Sequence, residues 1–308
     1  MGQNPIPAHV RNTGPDGTVR LKMQQPTLFQ AALPENYPMD YKTIDVELAA
    51  HVATVTLNRP DKANAMEEAM WPEIRAAMQW ADATPDVRCV ILRGAGRHFT
   101  SGIDLAMLAT IGARIRDADE ARSREKLRRL ILALQDCLSS VERNRKPVLA
   151  AVHGACIGGG IDLITACDMR YCAADARFAV KEIDIGITAD VGTLQRLPRL
   201  IGEGLARELA YTGRTFDAVE AVAMRLVNRA YDSIQALYAG VQEIASTIAA
   251  KSPLAIRGSK EMITYARDHS VADALNYVAT WNAALLMSSD LVEAGLAAAE
   301  KRAPRFEN

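Results

Sequence analysis

Three glycines followed by an acid mark the stretch of this chain best suited to chemistry, VLAAVHGACIGGGIDLITACDMR from Val148 to Arg170. Gly158-Gly159-Gly160 lies in an apolar context, where consecutive glycines let backbone come close to something, since glycine alone combines positive φ with no side chain. A ligand fits that description. If a helix runs from Ile161 onward, its first-turn N–H groups lack intrahelical acceptors and lie at the positive end of the dipole, which suits a developing oxyanion. Asp162 stands in the same turn. Tight packing of a helix on a strand, with Asp162 as an ordinary first-turn acid, explains this stretch equally well.

Other chemistries find little support. The five cysteines (Cys89, Cys137, Cys156, Cys167, Cys172) contain no C-x-x-C pair, and His9, His51, His98, His153 and His269 are scattered with no H-E-x-x-H arrangement, so no metal site is expected. A reducing compartment is the simpler setting. VRCVIL (Val87 to Leu92) followed by Arg93-Gly94-Ala95-Gly96 has the strand and G-x-G of a dinucleotide site. It lacks the third glycine and the acidic ribose partner, which excludes that reading.

The elements that must hold the glycine turn follow from periodicity. Tyr41 to Leu48 and Val52 to Leu57 alternate as two strands, and Asn58-Arg59-Pro60-Asp61-Lys62 makes a loop. Met66 to Ala83 has helical spacing, with Pro72 restricting where its first turn starts. Val87 to Leu92 suits a buried strand, and Ala106 to Arg145 is helical with a Leu127, Leu130, Ile131, Leu134, Leu138 stripe. Val148 to Val152, Met169 to Ala173 and Phe178 to Val180 read as strands; beyond Ile201 the chain is mostly helical. The expected architecture is an α/β core over residues 41–230 and a helical C-terminal region over 231–308. Residues 1–40, rich in Pro, Gly, Gln and Asn, read as an extended arm, and within the first 30 residues Arg11, Arg20 and Lys22 against Asp16 leave a targeting role open.

With 36 basic and 37 acidic residues among 308, the chain has no global charge to recruit nucleic acid or an anionic membrane. No apolar run reaches the ~20 residues of a membrane span.

Three segments match one family in order and spacing: Asn58-Arg59-Pro60 before a helix, Phe99-Thr100-Ser101-Gly102-Ile103-Asp104-Leu105, and His153-Gly154 through Gly158-Gly159-Gly160 to Cys167-Asp168. The chain resembles the crotonase, or enoyl-CoA hydratase/isomerase, superfamily from about Tyr41 to Lys301. That resemblance implies a spiral of ββα units with a helical C-terminal trimerisation region and an acyl-CoA thioester as ligand. It also implies homotrimers, often paired into hexamers. No separate cofactor is implied, because CoA is part of the substrate.

By the same resemblance, the backbone N–H groups of Ser101 and Gly159 form the oxyanion hole. Lys62, Ala63, Ala65, Gly102, Ile103, Asp104 and Leu105 border the substrate, with Lys62 and Lys260 as candidate cations for the CoA phosphates. The hydratase branch has two glutamates twenty positions apart; here those positions hold Asp162 and Glu182, and Asp190 follows eight residues later. The Asp162, Glu182, Asp190 set resembles the Δ3,5-Δ2,4-dienoyl-CoA isomerase branch, as do Arg267-Asp268-His269-Ser270-Val271 and Leu275-Asn276-Tyr277-Val278. In that branch Glu182 is implied as base at C2, Asp190 as acid at C6, and Asp162 as the neighbour that adjusts the pair in β-oxidation. Each has a structural rival: Glu182 as an edge acid in a strand-like run sharing a face with Phe178 and Val180, Asp190 as a helix N-cap. Asp104 and Asp184 read as structural or solvated charges and Asp168 as a structural hydrogen-bonding group. Enoyl-CoA hydratase is the alternative activity. A non-catalytic or RNA-binding member is a second, disfavoured because the basic tract Arg122 to Arg129 is interrupted by Glu125. Location is expected to be cytoplasmic for a bacterial chain, or the mitochondrial or peroxisomal matrix for a eukaryotic one, the last without a C-terminal S-K-L address.

Overall fold

The computed structural model describes residues 41–308; the expected N-terminal arm lies outside them. Strand β1 (Ile44–Ala49) turns back antiparallel onto β2 (Val52–Leu57), and helix α1 (Met70–Ala83) returns the chain to β3 (Cys89–Gly94), parallel to β2. Helices α2 (Leu105–Ile115) and α3 (Glu120–Arg143) lead to β4 (Val148–Val152), β5 (Ala155–Ile157) and the short α4 (Gly159–Thr165). Then come β6 (Met169–Ala173), β7 (Arg177–Ala179), α5 (Thr193–Ile201), α6 (Glu203–Thr212), β8 (Phe216–Asp217), α7 (Ala218–Ala223) and β9 (Arg229–Tyr231). The chain closes with α8 (Ile234–Ala249), α9 (Pro253–Ala266), α10 (Val271–Leu285) and α11 (Ser289–Ala299).

Among the described residues, six strands form a sheet in the order β1-β2-β3-β4-β6-β9, parallel after the first pair, and β5-β7-β8 form a second sheet. The CVIL run of β3 and the VLAAV run of β4 are continuously apolar because the large sheet is covered on both sides. Val90, Leu92, Val148, Ala150 and Val152 face the main core with Trp71, Ile74 and Leu138. Their alternate neighbours Cys89, Ile91, Leu149 and Ala151 face Leu237, Val241, Ala245 and Ala249, four apart along α8.

Helix α8 is therefore a layer of the core. The boundary expected after residue 230 falls just before it, and the described residues, 41–308, form one compact unit. The expected helix from Met66 starts at Met70, and the expected 106–145 helix is two, broken between Ile115 and Glu120 with Asp104 and Asp119 capping the pieces. Helix α10 buries none of its side chains, and Val271, Leu275, Leu286, Met287 and Val292 are exposed by 55 % or more.

Candidate active site

The glycine turn links the two sheets. Strand β5 runs into Gly158, which sits at φ 52°, ψ −115° and donates its N–H to the Ala179 carbonyl at 2.9 Å. A side chain there is disfavoured twice, by that backbone and by Glu182, whose Oε1 would lie 3.1 Å from a β-carbon. The helix begins at once with Gly159, two residues earlier than Ile161. A β-carbon on Gly102 would meet the Gly159 nitrogen at 3.3 Å, and one on Gly159 would lie 3.6 Å from the Ile103 nitrogen. Two bare backbone segments from distant parts of the chain thus lie against each other.

The contact decides which amides are free. Ser101, expected as an oxyanion donor, gives its N–H to the Ala63 carbonyl at 2.9 Å, and Gly102 gives its own to Thr100 Oγ1 at 3.1 Å. Ile103 forms a parallel bridge with Met66 through the groups flanking it: Met66 N–H donates to Gly102 O at 2.8 Å and Asp104 N–H to Met66 O at 3.1 Å. In such a bridge the Ile103 N–H points away from Met66. The Ser101 N–H expected as a donor is thus engaged, and the Ile103 N–H is the one left free beside the first-turn N–H of Gly159.

Three carboxyl groups lie near the glycine turn: Glu182 against Gly158, Asp162 in the first turn of α4, and Asp190 close enough to raise both. Asp162 is fully buried on α4; one oxygen accepts from the Thr193 N–H at 2.6 Å, while Oδ2 has no partner. Burial first, and then the charges of Glu182 and Asp190, push its pKa up to about 7 against the Thr193 hydrogen bond. Glu182 is held above the usual carboxylate range by burial and by Asp190, and its Oε2 is a second buried oxygen without a partner. Asp190 lies at the exposed rim, yet partial desolvation of its carboxyl raises it too.

Their local settings differ from expectation. Glu182 opens a 3-10 turn, Glu182–Ile185, closed by Gly186 at φ 73°, and is not in a strand. Asp190 caps nothing: Gly192 occupies the N-cap of α5, and the side chain meeting that helix end is Asp162, thirty-one residues away. Gln135 on α3 donates to the Asp190 carbonyl at 2.6 Å, which holds the acid's loop from outside. A cleft of about 860 Å³ beside Val191 and Gly192 is walled by Glu142 with Arg196 and Arg267, and none of the three acids lines it.

Several other candidates are occupied structurally. Asp104 accepts from Ala106 N–H at the start of α2 and pairs with Arg59 at 3.1 Å, which holds its carboxyl below the usual range. Asp168 accepts from Val148 N–H at 2.7 Å and pairs with Lys260 at 2.7 Å, so Lys260 is a core-sealing cation and not a free phosphate ligand. Asp184 pairs with Lys181 at the surface. Lys62 and Leu105 are exposed. The amides of Ala63 and Ala65 are used within the 59–66 loop.

A fold of this strand order, with a glycine turn presenting amides to acidic side chains, is that of the crotonases, and residues 47–308 match the family model described as enoyl-CoA hydratase/isomerase. The chain belongs to that family. It is 47 % identical to the peroxisomal Delta(3,5)-Delta(2,4)-dienoyl-CoA isomerase of Arabidopsis thaliana over 86 % of this chain and 97 % of that one. The mitochondrial protein of the same name from Homo sapiens is 45 % identical, over 88 % and 83 %. Among solved structures, an enoyl-CoA hydratase from Bacillus anthracis superposes with a TM-score of 0.78 at 33 % identity, covering 86 % of this chain and 99 % of its own.

Proposed function

We propose that the protein isomerises 3,5-dienoyl-CoA thioesters to 2,4-dienoyl-CoA in fatty-acid β-oxidation. The observation that carries this reading is the cluster of three carboxyl groups at the glycine turn, all raised in pKa, with Asp190 acting on Glu182 and both acting on Asp162. The two relatives described above support the substrate. Glu182 takes a proton from C2, and the negative charge spreads to the thioester oxygen, where the two amides stabilise it more in the transition state than in the substrate. The extended dienolate carries charge to C6, where Asp190 delivers a proton. Glu182 ends protonated and Asp190 ionised, and exchange through the rim and Asp162 restores the pair. The forward direction needs Glu182 ionised and Asp190 protonated, so the rate falls on both sides of an optimum. Lys62, exposed while Lys260 is paired, serves as a cation for the CoA phosphates.

Incubation of the pure protein with a 3,5-dienoyl-CoA is expected to raise the ultraviolet absorbance of the conjugated 2,4-product, with crotonyl-CoA hydration run alongside. Rapid hydration with no dienoyl signal reverses the reading in favour of a hydratase, for which Asp162 and Glu182 occupy the two acidic positions.

The exposed apolar row on α10 and α11 supports a homotrimer or a pair of trimers, since patches of this kind mark association surfaces. Light scattering should give three or six times the 33.5 kDa chain mass. Placing glutamates at Met287 and Val292 should release smaller species; an unchanged mass would remove these residues from the interface. The peroxisomal and mitochondrial names of the relatives support an organellar matrix as the location in a eukaryote.

A further inference from the structure

The two amides assigned to the thioester oxygen belong to chain segments that do not share an element, so something must set their spacing. The side chain of Thr100 touches both segments. Thr100 is fully buried. Its hydroxyl donates to the Asn64 carbonyl at 2.6 Å and accepts from the Gly102 N–H at 3.1 Å, one residue before Ile103. Its backbone pairs with the other segment: Thr100 N–H donates to Ala155 O at 2.9 Å and Ile157 N–H to Thr100 O at 3.1 Å. Its methyl group lies where a β-carbon on Gly160 would come within 2.7 Å, so the residue after Gly159 packs directly on it.

The anchor behind Thr100 is itself rigid. Asn64 is fully buried at φ 52°, a conformation that asparagine tolerates better than most residues. Its side-chain oxygen accepts from Arg59 N–H at 2.8 Å, and its amide donates to the carbonyls of Ala95 and His98 at 2.9 and 2.7 Å. The hydroxyl of Thr100 thus hangs the Gly102–Ile103 peptide from a fixed point, while its methyl and backbone hold the Gly159–Gly160 turn.

We propose that Thr100 is a positioning residue that sets the distance between the Ile103 and Gly159 amides through its hydroxyl. The inference rests on the reading of those amides as the donors to the thioester oxygen. Oxyanion donors act over a narrow range of distance, and a displacement of 1 Å in a reacting constellation costs on the order of a hundredfold in rate.

The test compares Thr100→Val, which keeps the shape and removes the hydroxyl, with Thr100→Ser, which keeps the hydroxyl. Thr100→Ala is a second hydroxyl-free variant that adds no bulk. The kcat and KM of each are measured with a 3,5-dienoyl-CoA and with crotonyl-CoA, together with the melting temperature and the affinity for a saturated acyl-CoA. For whichever substrate the wild type turns over, the valine and alanine variants should lose roughly tenfold or more in kcat, with KM and saturated acyl-CoA affinity unchanged. The serine variant should stay within about threefold of wild type, less than the loss of a hydrogen-bonded group. A kcat for the folded hydroxyl-free variants within twofold of wild type overturns the proposal, as does a serine variant as slow as they are. Wild type that hydrates crotonyl-CoA but leaves the dienoyl substrate untouched defeats the isomerase reading alone, and the crotonyl-CoA series still decides the role of Thr100.

Discussion

Replacing Asp190 by asparagine should lower the isomerisation rate on the order of a thousandfold, the scale of a lost general acid, while the affinity for a saturated acyl-CoA stays at the wild-type value. The carboxyl lies at the rim and makes no helix cap, so an isosteric amide has little fold to disturb. Glu182→Gln should be equally slow, for the opposite reason: the base that opens the reaction is gone. The two variants separate in deuterated water. With Glu182 intact and the acid at C6 removed, the first proton still leaves and returns, so Asp190→Asn should wash deuterium into C2 of the recovered substrate. Glu182→Gln should not. Retention of more than a tenth of the wild-type rate in Asp190→Asn would remove that residue from proton transfer, and C2 exchange in Glu182→Gln would mean another base.

Much of this site was legible because its demands are local. The Gly158-Gly159-Gly160 turn declares a positive φ and a close approach within three residues, and the Asp162, Glu182, Asp190 spacing carries the resemblance to the family. What the sequence hid depends on partners far along the chain. Whether Ser101 or Ile103 offers a free amide is decided by the Ala63 carbonyl, which takes one of them. Glu182 continues the alternation of Phe178 and Val180, but the strand ends at Ala179 and the left-handed Gly186 closes a 3-10 turn. The capping interaction sought at Asp190 exists, with Asp162 as its acceptor, because the α4–α5 packing and not the sequence neighbourhood chooses which acid meets Thr193. Helix α8 shows its apolar spacing plainly, yet no spacing tells that the surface it covers is the far side of the central sheet.

The burial of Asp162 has a thermodynamic signature. In the unfolded chain it ionises near 3.8, and the fold pushes it up to about 7. Between those values the folded protein binds more protons than the unfolded one, so this group's contribution to stability is complete below 3.8 and is lost as pH rises through 7. Asp162→Asn removes the titration and leaves an amide oxygen to accept from Thr193 N–H. At pH 8 the variant should therefore be more stable than wild type by roughly a few kcal/mol, since each pKa unit corresponds to about 1.4 kcal/mol, and the gain should shrink toward pH 5. Urea midpoints at the two pH values measure it. A variant less stable than wild type at pH 8 would mean that the Thr193 hydrogen bond to the carboxylate outweighs its burial and that the fold does not raise the Asp162 pKa. The same substitution should slow isomerisation, because an amide cannot take part in the proton exchange that restores Glu182 and Asp190 between turnovers. Stability gained together with activity lost would mark the cost of that burial as functional in origin.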